Sequence, residues 1–94
     1  MSDWQCEAFV YGTQPLTCSI GDFEDDVFGL IEGLGDVTGS GAAAGWKLDL
    51  VFDNPNCFVS MINAVRQVLT DLDHDLHSVT VSVRGRRHRL VDLL

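Results

Sequence analysis

The chain has 94 residues, 46% of them apolar and 21% charged, which is enough for one hydrophobic core and too few for two, so residues 1–94 are read as a single folded domain rather than a disordered tract. No apolar run approaches the ~20 residues of a membrane-spanning helix, and the opening MSDWQCEAF lacks the basic and apolar regions of a secretory signal, so a cytoplasmic protein is expected. The formal net charge of −8 is uneven: residues 1–83 carry a net −11, whereas residues 84–94 carry +3, a body that repels nucleic acid and anionic membrane and favours encounter with a basic partner.

Residues 4–11 alternate, with Trp4, Cys6, Ala8 and Val10 on one face and Gln5, Glu7, Phe9 and Tyr11 on the other, the period of a first strand. Phe9 and Tyr11 then either face solvent as interface anchors or lie beneath the C-terminal tail. Gly12 to Pro15 breaks the strand. Ser19, three residues before Asp22, caps a helix by accepting from its free backbone N–H groups. Phe23, Val27, Leu30, Ile31 and Leu34 mark its buried face, and Gly33 and Gly35 its end. Asp22, Glu24, Asp25 and Asp26 crowd the first turns, where the helix dipole favours negative charge.

Asp36 to Ser40 reads as a short edge strand running into a flexible Gly41–Gly45 link. Trp46, Leu48, Leu50 and Phe52 alternate with Lys47, Asp49, Val51 and Asp53, the clearest strand pattern in the chain, and the two strands form a hairpin. Asn54 and Pro55 open a second helix, Asn as N-cap and Pro in the first helical position. Phe58, Met61, Ile62, Val65, Val68, Leu69 and Leu72 form its apolar stripe. A fourth strand follows at Val79–Val83, and after Gly85 the segment Arg87–Leu93 either returns as a fifth strand or remains a tail. The order β-α-β-β-α-β, with that extra C-terminal strand as an option, predicts an α+β fold, a two-layer sandwich of ferredoxin-like architecture.

Chemical motifs are weak. Gly39-Ser40-Gly41-Ala42-Ala43-Ala44 matches G-x-G-x-x-A, but it lies between strands rather than opening a helix, so a hairpin link is preferred to a dinucleotide site. Asp71, Asp73, Asp75, His74 and His77 lack both the glycine and the final carboxylate of a calcium loop and are not spaced as a helical zinc pair, so no metal is expected. Cys6, Cys18 and Cys57 form no C-x-x-C pair, which suggests neither a disulfide framework nor a zinc ribbon, and no base is placed beside any of them. Arg84, Arg86, Arg87 and Arg89 are a candidate phosphate or partner contact. The absence of aromatic residues within that patch and the acidic body weigh against nucleic acid. Pairing of these arginines with the domain's own carboxylates, or with a neighbouring copy, is the simpler expectation.

No catalytic set or cofactor site assembles from these residues. The sequence therefore points to a non-enzymatic protein-binding domain, with Asp22, Glu24, Asp25, Asp26, Glu32 and Asp36 contacting a basic partner. Neutralising partners of basic enzymes, such as bacterial immunity proteins that inhibit a toxin or nuclease, are the nearest functional class by analogy. The alternative is a small-molecule-binding regulatory module of the same fold, with a homodimer as an option, in which the glycine-rich loop closes over a pocket between helices and sheet.

Overall fold

A computed structural model describes residues 6–42, 45–52 and 54–93. Five strands, β1 (Cys6–Gly12), β2 (Gly35–Ala42), β3 (Gly45–Phe52), β4 (Val79–Val83) and β5 (Arg86–Arg89), form one antiparallel sheet among the described residues, in the order β2-β3-β1-β4-β5. Two helices accompany it, α1 (Ile20–Leu30) and α2 (Phe58–Asp71). This is an α+β architecture compatible with a two-layer sandwich.

The alternation seen in the sequence sets the register. Ala8 lies opposite Leu50 and Val83, and Val10 opposite Leu48 and Val81, so one face of the three central strands is aliphatic. Ala8, Val10, Leu48, Leu50, Val79 and Val81 are all fully buried. The helices cover that face: Phe23 of α1 meets Trp46 edge-on at 5.0 Å, and Phe58 of α2 lies 6.0 Å from Phe52. Residues of the opposite parity, among them Phe9, Tyr11, Lys47 and Asp49, form the sheet's second face, which no helix among the described residues covers.

Several elements differ from expectation. β2 runs from Gly35 to Ala42 rather than from Asp36 to Ser40, and Ala42 pairs with Gly45. Gly41 and Gly45 are therefore ladder residues, not a flexible link; the interior of the expected link, residues 43 and 44, lies outside the described residues. At Gly39 a Cβ would come within 3.0 Å of Ile20 Cγ1 and 3.2 Å of Leu48 Cδ2, so the missing side chain serves close packing inside a strand. The second helix opens with a 3-10 turn at Pro55–Cys57, Asn54 Oδ1 accepting from Asn56 N at 2.9 Å, before α2 starts at Phe58. Such tight first turns are common at helix N-termini. Of the two options for the C-terminal segment the strand is the one taken, one residue earlier and shorter than expected: Arg86–Arg89 pairs with β4, and Leu90–Leu93 forms a 3-10 turn that buries Leu90 fully rather than a tail. Trp4, assigned to the first strand's core face, lies outside the described residues.

Candidate functional site

α1 begins as its sequence requires: the Ser19 hydroxyl accepts from Asp22 N at 3.1 Å. Phe23, Val27 and Ile31 then point inward and are fully buried. The 3.6-residue period rotates Asp22, Asp25, Asp26, Phe28 and Leu30 outward. Leu30, expected in the core, is instead 47% exposed, and Phe28 beside it is 43% exposed.

Leu30 is left out because it faces α2 across a surface groove of about 300 Å³. Three pairs of residues four apart line it: Asp26 and Leu30 from α1, and Gln67 and Asp71 with Val68 and Leu72 from α2 and its C-cap. A carboxylate stands on each helix, and Leu30, Val68 and Leu72 make the floor apolar. The sequence reading groups Asp71 with Asp73 and Asp75 and does not join it to Asp26. The signal was present in the i, i+4 step from Gln67 to Asp71 alongside Val68 and Leu72, but only the packing of α1 against α2 reveals the pair.

The six carboxylates expected to form one surface are divided. Asp22, Asp25 and Asp26 are exposed along α1, and Glu32 is exposed in the turn after it. Glu24 is turned inward and accepts a hydrogen bond from the backbone N–H of Gly39 on the edge strand β2. Asp36 precedes the buried Val37 and so points to the far side of the sheet.

The arginines are divided too. Arg89 Nε pairs with Asp92 Oδ2 at 3.1 Å, while Arg84, Arg86 and Arg87 have no carboxylate within ion-pair distance among the described residues. Arg87 instead lies with its guanidinium carbon 5.8 Å from the centre of the Tyr11 ring, and Lys47 Nζ lies 4.6 Å from that of Phe9.

Elsewhere, Asp75 caps the Leu76–Ser78 turn, its Oδ1 accepting from His77 N at 3.0 Å. Among the described residues no three His, Cys, Asp or Glu side chains converge as a metal site. Burial pushes the Cys18 thiol above its ordinary value of 9.0, and the carboxylates of Asp22 and Asp26 push it the same way, so it is held as the less nucleophilic thiol. A recess of about 490 Å³ opens at one end of the sheet between Tyr11, Trp46 and Lys47. No described helix is long and apolar enough to cross a membrane.

Compared with protein-family models and with curated proteins, the chain matches none. The class it defines is therefore structural: an α+β protein with two helices, a groove between them flanked by carboxylates, and a second sheet face on which Lys47 and Arg87 lie against the Phe9 and Tyr11 rings.

Proposed function

We propose that the chain is a non-enzymatic protein-binding domain that occupies a basic protein partner through α1 and the groove between the helices. The supporting observation is the groove itself: Asp26 and Asp71 flank a floor of Leu30, Val68 and Leu72, with Phe28, Asp22 and Asp25 beside it. Carboxylates around exposed apolar anchors steer a cationic surface inward and then reward its docking with desolvated contact. Neutralisation of a basic toxin or nuclease in the cytoplasm, in the manner of a bacterial immunity or inhibitor protein, is the function such a surface would serve. The strand order, with a helix after β1 and another after β3, supports a ferredoxin-like assignment of the four-stranded part, β5 being an added edge.

A tagged pull-down at low and high salt, followed by association kinetics on the captured protein, tests this. A basic partner is expected, with association that slows at high salt and in the Asp25→Asn/Asp26→Asn variant. Kinetics indifferent to both salt and these substitutions would remove the electrostatic basis of the proposal. The recess beside Lys47 favours a second reading, a small-molecule regulatory module, dimeric or not. A ligand that raises the melting temperature would support it.

A further inference from the structure

The arginine patch lacks stacking residues in sequence, but the fold supplies them. Phe9 pairs across the ladder with Ser82, which pairs with Arg87; Tyr11 pairs with Thr80, which pairs with Arg89. Strand alternation puts all six side chains on the face that no described helix covers. The Phe9 and Tyr11 rings are 6.3 Å apart and inclined by only 27°, so they present neighbouring, nearly parallel surfaces. Cations already attend both rings, Lys47 at Phe9 and Arg87 at Tyr11. We propose that this face, through Phe9, Tyr11, Lys47 and Arg87, binds single-stranded nucleic acid.

Unstacked bases are flat, apolar on their faces and joined by phosphates, so they bind where aromatic rings alternate with flexible cations. Lys47 and Arg87 would exchange a weak exposed cation–π contact for a phosphate, while a base takes their place on the ring. Arg84, in the turn before β5, extends the positive edge and is not ion-paired among the described residues, whereas Arg86, opposite Val83, has the parity of the helix side of the sheet. Among the described residues the acids on this face are Asp49, directly opposite Phe9, Glu7, two residues before Phe9 on β1, and Asp36 on the edge strand β2, so the bound nucleic acid would extend from Phe9 past Tyr11 and Arg87 toward β5, away from β2. A duplex hides its base faces and would gain only the phosphate contacts. The surface is separate from the helix groove, so it does not depend on the basic-partner proposal.

The test is fluorescence anisotropy of the full chain with a labelled oligouridylate roughly eight nucleotides long at low salt. Binding is expected, at least ten-fold tighter than for a duplex of the same length. Phe9→Ala and Tyr11→Ala should each weaken it by roughly ten-fold. Arg87→Ala should lower the slope of log affinity against log salt by about 0.7. Asp25→Asn/Asp26→Asn should not weaken it. Circular dichroism melts establish that each variant is folded, and Arg87→Glu, at an exposed position, serves if an aromatic substitution unfolds the sheet. Absence of binding by the folded wild type, equal affinity for duplex, or binding indifferent to Phe9, Tyr11 and Arg87 would overturn the proposal. So would light scattering showing a dimer that these substitutions dissolve, because the face would then be covered by a second copy.

Discussion

Gly12 on β1 and Trp46 on β3 are direct ladder partners, and a Cβ on Gly12 would overlap the indole ring at Cε2 and Nε1. The bare glycine lets the indole lie across β1, where it is 4% exposed and meets Phe23 and, at 5.7 Å, His74. One ring thus joins α1, the sheet and the turn after α2. Gly12→Ala should cost about 1–3 kcal/mol through overpacking. In urea this appears as a lower midpoint with an unchanged slope, accompanied by a shift in tryptophan emission. An unaltered midpoint would mean that Trp46 moves aside without loss.

Glu24 differs from its acidic neighbours because its carboxylate covers the backbone of an edge strand. Gly39 N–H would otherwise point outward from β2, in the position that invites pairing with another chain. Glu24→Ala should therefore destabilise the protein by about 1–3 kcal/mol, the penalty for an unsatisfied part-buried donor. Asp25→Asn should fall within about 0.5 kcal/mol of wild type, as surface changes usually do. Thermal melts of the two variants side by side provide the measurement. Equal stabilities would show that the Glu24 contact contributes nothing.

Local pattern disclosed the strands and helices because burial on one face imposes a period, and Ala8, Val10, Leu48 and Leu50 obey it without exception. The Ser19 cap was legible for a similar reason, since a hydroxyl placed three residues before a free N–H acts locally. The glycines misled. Composition cannot distinguish a glycine that permits a turn from one such as Gly39, which lets Ile20 and Leu48 approach. Charge misled in a comparable way: Glu24 and Asp36 sit among acids in sequence, but helix and strand periods send them in different directions. The Asp26–Asp71 groove and the Phe9–Arg87 face bring together residues 45 and 78 positions apart in the numbering, and only tertiary pairing could reveal either.

His74 gives the stability a pH dependence. Burial beside Trp46 lowers its pKa from the ordinary 6.5, outweighing the opposing pull of Asp75. Below pH 6.5 the unfolded chain takes up this proton more readily than the native protein, so folding is penalised as pH falls toward and through the native value. Stability should decline from about pH 7 to pH 5.5, before carboxylates titrate appreciably. His74→Phe should flatten the decline in that window. Urea midpoints across the range would show it, and a flat wild-type profile would contradict the account.

Leu30 separates binding from folding. At 47% exposure it contributes less to the core than Phe23, whose replacement by Ala should cost about 3–5 kcal/mol. Leu30→Ala should cost under about 1 kcal/mol, since much of its surface already meets water. If a basic partner seats in the groove, however, Leu30 becomes an anchor between Asp26 and Asp71, and its truncation should weaken that complex by about 1–2 kcal/mol. The loss should appear mainly as faster dissociation, whereas Asp25→Asn/Asp26→Asn should act mainly on association. Calorimetry and surface plasmon resonance on the same Leu30→Ala preparation measure both quantities. A large stability loss with unchanged dissociation would place Leu30 in the core and leave the groove without its anchor.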